Sequence, residues 1–121
     1  MEFLSTVHEK KFEELIEKQG RAGVEHKTLF YIIAGNQDLF AQVNKIYDFK
    51  QGMLCDRAET EEGELYFKGL LTSGSSKRLI NLGVQLFNGT NKQNVLDTFT
   101  GLDQDNFKLA INAIKIRFNQ Q

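Results

Sequence analysis

The chain has 121 residues, of which 40% are hydrophobic and 26% charged, and 15 basic and 16 acidic residues give a net charge of −1. This composition is typical of a globular domain and argues against a disordered, collagen-like or coiled-coil chain. The near-neutral balance also argues against nucleic acid or an anionic membrane as the partner, because those surfaces are usually bound by a basic excess. The length predicts one domain over residues 1–121.

The first predicted helix starts at Thr6, which has capping-box spacing to Glu9. Phe12, Leu15 and Ile16 follow at helical spacing. The N-terminus lacks the basic start and continuous apolar core of a signal peptide, and no apolar run approaches the ~18 residues of a membrane span. We therefore expect a cytoplasmic protein that does not bind membranes.

The segment "LFYIIAGNQD", residues 29–38, has two interpretations. It is a buried strand that leads into a phosphate-binding glycine loop, or a buried helix that ends at Gly35. The helix is favoured, because a phosphate loop needs further glycines or a Lys-Ser/Thr pair and this segment has neither. We expect Gly35 to end this helix in a left-handed conformation and Asn36 to cap the next helix.

Residues 50–74 show no single periodicity and predict an irregular middle segment. This segment holds four of the ten glycines, and five carboxylates lie between Asp56 and Glu64. The runs "LYF" and "LLT" around Lys68-Gly69 offer a small β-hairpin as an alternative.

Helical spacing returns after residue 74. Ser75 or Ser76 is predicted to cap a helix that ends at Gly89, and a short helix then closes at Gly101. Asp103 is predicted to cap the last helix. Its buried face is expected to consist of five apolar residues: Phe107, Ala110, Ile111, Ile114 and Phe118. The predicted fold is therefore all-α, a compact bundle of five to six helices with an irregular acidic middle segment.

Four stretches carry a resemblance to a known family: "LFYIIAGNQDLF", "IYDF", "SSKRLINLGVQLFNG" and "FTGLDQDNFKLAINAIKIRF". They resemble small uncharacterised proteins of low-GC Gram-positive bacteria, which are classed only as a domain of unknown function. The resemblance covers most of the chain and lapses in the middle segment. It implies an all-helical cytoplasmic protein, often carried on phages or conjugative elements, and it supplies no activity or catalytic residue.

Residues suited to metal binding or catalysis are few. His8 and His26 are eighteen positions apart on different predicted helices, with no cysteine or histidine at metal-ligand spacing, so we expect solvated or capping histidines. Cys55 is the only cysteine and has no partner at a defined spacing. We therefore predict no metal, no cofactor and no catalytic residue, and hence a protein that is not an enzyme.

Two classes of function remain. The first is a non-catalytic protein-interaction domain whose partner is another protein, and the sequence is also compatible with a homodimer. The alternative is an anion-binding or small-ligand protein, or an enzyme, with a cleft at the N-terminus of the predicted Ser76–Asn88 helix, because "SGSSKR" combines hydroxyls, first-turn amides and two cations. The predicted binding residues are Glu61, Glu62, Tyr66, Ser75, Ser76, Lys77 and Arg78.

Overall fold

The computed structural model describes residues 1–121 and is mostly helical. Its α-helices are α1 (Thr6–Gln19), α2 (Val24–Gly35), α3 (Gln37–Ala41), α4 (Gly74–Asn88), α5 (Val95–Phe99) and α6 (Gln104–Arg117), with one 3-10 turn at Val43–Lys45. Its strands are β1 (Tyr47–Asp48), β2 (Met53–Leu54), β3 (Arg57–Glu59) and β4 (Leu65–Phe67). The predominance of helix is confirmed, but two antiparallel two-stranded sheets, β1–β2 and β3–β4, correct the all-α prediction. No helix combines the length and apolarity that a bilayer span requires.

Helix α2 is the centre of the fold and packs against α1, α4 and α6. Every residue from Thr28 to Ala34 is buried. A helix that is apolar on all sides belongs in the interior, so the helical interpretation of residues 29–35 is confirmed and the strand interpretation is wrong.

The junction of α2 and α3 differs from the prediction at Gly35. This glycine is the last residue of α2 and lacks a positive φ, whereas Asn36 caps α3 as predicted, with its Oδ1 accepting the Leu39 N–H at 3.0 Å. A Cβ on Gly35 would overlap Leu109 Cδ1 and would lie 2.9 Å from His8 Nε2. Glycine is therefore required here for close packing between helices and not for a left-handed turn.

Helix α1 starts at Thr6 as predicted, but its N-cap lies one residue earlier than the capping-box spacing indicated. Ser5, not Thr6, is the N-cap, and its Oγ accepts the His8 N–H at 3.1 Å. His8 thus occupies the third helical position, which the capping-box prediction had assigned to Glu9.

Both histidines accept a hydrogen bond from a backbone N–H near a helix start. His26 Nδ1 accepts from Gly23 at 3.1 Å, and His8 Nδ1 accepts from Leu4 at 3.1 Å. His8 is also buried, and its Nε2 lies 2.9 Å from the Tyr31 carbonyl oxygen. Because the Leu4 N–H can only donate, His8 is the tautomer with the proton on Nε2, which it donates to Tyr31. The capping role is confirmed, but His8 is not solvated.

The burial of His8 predicts a pH-dependent stability. Desolvation lowers the pKa of His8 below its usual 6.5, and the hydrogen bond to Tyr31 O offsets only part of this effect. Below pH 6.5 the unfolded chain therefore binds a proton that the native state does not, and the free energy of unfolding falls as the pH drops toward the native pKa. Urea unfolding of the wild type and of His8→Gln between pH 8 and pH 5 should show a steeper acid loss in the wild type. Parallel curves would contradict the assignment.

The middle segment contains a hairpin with a different partner strand from the one predicted. The "LYF" run is β4, but it pairs with β3 in the register Arg57↔Phe67 and Glu59↔Leu65. The reversal lies at residues 60–64, where the Thr60 N–H donates to the Glu64 carbonyl at 2.8 Å. The "LLT" run is not a strand. This pairing leaves the acidic tip in solvent and directs the alternate residues of β4, including the buried Phe67, toward the core.

The C-terminal helices confirm several predicted boundaries. Gly89 ends α4 in the left-handed conformation, and Asp103 Oδ1 caps α6 by accepting the Asn106 N–H at 2.8 Å. The N-cap of α4 is Ser73 and not Ser75 or Ser76.

The predicted buried face of α6 is displaced. Its fully buried residues are Leu109, Ala110 and Ala113, whereas Phe107 and Phe118 are 45% and 61% exposed. Apolar residues cover a wide arc of this helix. The side with the small alanines faces the core, because alanine allows neighbouring helices to approach closely.

Candidate functional site

A surface cleft runs between the β3–β4 hairpin, α4 and the loop that follows α4. Its apolar part has a volume of about 440 Å³ and its polar part about 500 Å³. The two parts share Glu64, Leu65, Asn81 and Asn91, so they adjoin each other, and together they are here named the hairpin cleft.

The apolar part is lined by six hydrophobic residues: Leu65, Tyr66, Phe67, Leu70, Leu71 and Ile80. Alternation along β4 buries Phe67 and leaves Tyr66 46% exposed. Leu71 is 77% exposed at the cleft. Two large apolar side chains therefore stand in solvent beside an apolar wall.

Leu71 is held in place although its side chain is exposed. Gln42 Oε1 accepts the Leu71 N–H at 2.8 Å, and Gln42 Nε2 donates to the Leu71 carbonyl at 2.7 Å. Lys45 Nζ also donates to the Gly69 carbonyl at 3.0 Å. These contacts from the α3 region fix the backbone of the segment that carries Leu71, so the exposed side chain is presented from an ordered position.

A chain of side-chain hydrogen bonds lies along the cleft. Arg57 Nη1 donates to Asn91 Oδ1 at 2.9 Å, and Asn91 Nδ2 donates to Asn81 Oδ1 at 3.3 Å. Asn81 Nδ2 then donates to Gln93 Oε1 at 3.3 Å, and Gln93 Nε2 donates to Thr98 Oγ1 at 3.0 Å. Burial lowers the pKa of the Arg57 guanidinium. The network ties β3, α4 and α5 together and gives the cleft a fixed polar floor.

Carboxylates dominate the polar part of the cleft. Glu59, Glu62, Glu64 and Asp97 line it together with one cation, Lys92. This excess makes the local potential negative, although the whole chain is close to neutral.

One ion pair stands where the two parts of the cleft meet. Lys77 Nζ lies 3.8 Å from Glu64 Oε2, and both side chains are more than half exposed. Solvent screening leaves such a pair worth little for stability. Lys77 and Glu64 can therefore exchange this contact for one with a bound molecule at low cost.

The predicted binding residues fall into separate places. Glu62, Tyr66 and Lys77 line the hairpin cleft. Glu61 is exposed on the hairpin turn but lines neither part of the cleft. Ser75 and Ser76 lie in a different cleft, and the Arg78 guanidinium lies beside Gly101, which follows α5.

The cleft that holds Ser75 and Ser76 is a poor anion site. The buried Ser76 hydroxyl lies 3.2 Å from Asp38 Oδ2. Asp103 and Asp105 also line this cleft, which has a volume of about 610 Å³. Three carboxylates would repel an anion, so this geometry argues against the anion-binding form of the alternative function.

Cys55 does not have the surroundings of a reactive thiol. Its Sγ lies 3.3 Å from the Asn44 carbonyl oxygen. Burial raises the pKa of the Cys55 thiol, and the negative charges of Asp48 and Asp56 raise it further. An activated cysteine requires the opposite, a cationic or hydrogen-bond-donating environment that stabilises the thiolate.

Sequence reasoning missed Leu71, Asn81 and Asn91 as cleft residues. The run "NKQN", residues 91–94, places three amides in four positions and is a signal that could have indicated a polar site. Nothing in the sequence marks Leu71, because its exposure depends on contacts with Gln42, 29 positions away.

Comparison with known proteins gives a family but no described relative. No curated protein and no solved structure is detectably similar to the chain. One family model matches residues 1–121. The expected membership of a family of unknown function is thereby confirmed, whereas the bacterial group and the association with mobile elements stay predictions. The chain belongs to DUF6075, a family of unknown function.

Proposed function

We propose that this protein is a non-catalytic interaction domain that binds a polypeptide segment of another protein in the hairpin cleft. The observation that carries the proposal is the ordered presentation of Leu71, whose side chain is 77% exposed while Gln42 holds its backbone on both sides. A residue whose backbone is already fixed loses less conformational entropy on binding than one on an unconstrained segment, which favours a recognition role. Tyr66 beside it belongs to a residue type enriched among binding hot spots.

The positions of the reactive side chains support a non-catalytic role. The ring nitrogens of His8 are both occupied by backbone groups inside the protein. The pKa of the Cys55 thiol is raised, which disfavours the nucleophilic thiolate. Neither group lines the hairpin cleft. The cytoplasmic location and the carriage on mobile elements belong to the same proposal and rest on the sequence alone.

Selection of peptides from a random displayed library tests this function. The wild-type protein should enrich peptides that bind in the cleft, and Tyr66→Ala and Leu71→Ser should each weaken those peptides by more than about tenfold, because a central hot-spot residue contributes ~2 kcal/mol or more. Val95→Ser is the matched control, since Val95 is 75% exposed but does not line the cleft. In all three variants the free energy of unfolding should stay within ~0.5 kcal/mol of the wild-type value.

Two results would contradict the proposed function. One is a library from which no peptide sensitive to Tyr66→Ala and Leu71→Ser emerges. The other is turnover of a substrate that a single side-chain replacement abolishes, which would make the protein an enzyme.

A further inference from the structure

We infer that the segment bound in the hairpin cleft is cationic and apolar, with a lysine or arginine close in sequence to a large apolar residue. This inference rests on the proposed function and specifies the chemistry of the partner. It follows from two facts: one part of the cleft is apolar and the other is acidic, and the two parts share lining residues.

The two parts of the cleft require different side chains from one bound segment. The part with Tyr66, Leu71 and Ile80 offers an apolar wall, whereas the other part has Glu59 and Glu62 on its lining. Because the parts share lining residues, a segment bound in one of them lies next to the other. A segment with an apolar residue alone would leave the acidic part unmatched.

The carboxylates of the polar part are available to a partner. The one contact in this chain between a lysine or arginine and a carboxylate is Lys77 with Glu64, so Glu59, Glu62 and Asp97 are not paired with a cation. All three residues are exposed. An incoming lysine or arginine would meet unpaired carboxylates, while an incoming aspartate or glutamate would meet like charges.

Asn91 on the floor of the cleft holds Arg57 in a hydrogen bond and so keeps this cation from pairing with the carboxylates. Asn91 is 8% exposed, lines both parts of the cleft and connects Arg57 to Asn81 through hydrogen bonds. The half-buried Arg57 beside the cleft is thus engaged by an amide and not by the carboxylates. The negative charge of the polar part is therefore left for a ligand.

Charge reversal in the cleft tests the inference. Peptide selection is run in parallel on the wild type and on the double variant Glu59→Lys/Glu62→Lys. The wild type should enrich peptides with lysine or arginine near a large apolar residue, and the variant should enrich aspartate or glutamate in that place. The matched control is Glu13→Lys/Glu17→Lys, which makes the same change in net charge on the exposed face of α1 and should select the same peptides as the wild type.

The best wild-type peptide then provides a direct affinity measurement by fluorescence anisotropy. Replacing its lysine or arginine by glutamate should weaken binding to the wild type about 3- to 10-fold, as expected for exposed charge pairs that reverse sign. The same replacement should strengthen binding to Glu59→Lys/Glu62→Lys. The affinity of the original peptide for the wild type should also fall as ionic strength rises.

The two proposals fail in different ways. If the selected peptides respond to Tyr66→Ala and Leu71→Ser but are neutral or acidic, or are indifferent to Glu59→Lys/Glu62→Lys, the cationic partner is wrong and the interaction function stands. If no selected peptide responds to the cleft variants at all, the interaction function itself is wrong.

Discussion

Gly35→Ala should destabilise the protein by about 1–3 kcal/mol, although alanine is the better helix former. The added methyl group would overlap Leu109 Cδ1 and press on His8 Nε2, and both neighbours are buried. Neither side chain can move aside without disturbing the contact between α2 and α6 or the hydrogen bond from His8 to Tyr31. Urea unfolding followed by circular dichroism measures the loss.

Gly74→Ala is the matched control. Gly74 is the first residue of α4, and the nearest atoms to an added Cβ are 4.0 Å away on Arg78. This substitution should be neutral or should stabilise by up to about 1 kcal/mol, because alanine restricts the unfolded chain without a clash. In a double-mutant cycle, Leu109→Ala should relieve part of the Gly35→Ala defect, so that the double variant loses less than the two single variants together. Full additivity, or a stable Gly35→Ala, would show that the packing explanation of this glycine is wrong.

Phe30→Ala should cost about 3–5 kcal/mol, the usual range for removing a fully buried aromatic side chain. The Phe30 ring packs edge-on against Tyr47, with ring centroids 5.2 Å apart, and tilted against Phe49 at 5.6 Å. These contacts join α2 to the β1 region, so the cavity would lie where two parts of the core meet. Urea unfolding should show this loss as a lower free energy of unfolding than that of the wild type.

Phe118→Ala makes the same chemical change at the end of α6. Because Phe118 is 61% exposed, the loss should stay below about 1 kcal/mol. A large loss of unfolding free energy in Phe118→Ala together with a small loss in Phe30→Ala would contradict the burial of Phe30 and the exposure of Phe118. That result would favour the α6 face that the periodicity predicted.

The sequence predicted some residues of the candidate site but not which of them lie together. Glu62, Tyr66 and Lys77 were predicted from local features, an acidic run, an aromatic residue and a helix start, and these three residues line the hairpin cleft. Ser76 was selected by the same kind of reasoning, but its hydroxyl turns to Asp38, 38 positions away. Local signals indicate which side chains are polar or exposed, but they do not indicate which of them face the same cleft.

The sequence by itself determined three of the helix caps and the central helix. Asn36, Gly89 and Asp103 were correctly predicted, because a cap hydrogen bond joins groups only three or four residues apart and depends little on the rest of the fold. The apolar run of α2 likewise predicted burial on all sides, since no helix face was left for water.

Tertiary structure decided the role of Gly35, the buried face of α6 and the pairing of β4. Each depends on contacts between residues far apart in sequence: Leu109 lies 74 positions from Gly35 and leaves no room for a Cβ at that position. Likewise, β4 has too few residues for its own sequence to select β3 over the "LLT" run, so packing against the core decides the pairing. The hairpin cleft has the same origin, because the hydrogen bond from Arg57 to Asn91 brings together segments 34 positions apart.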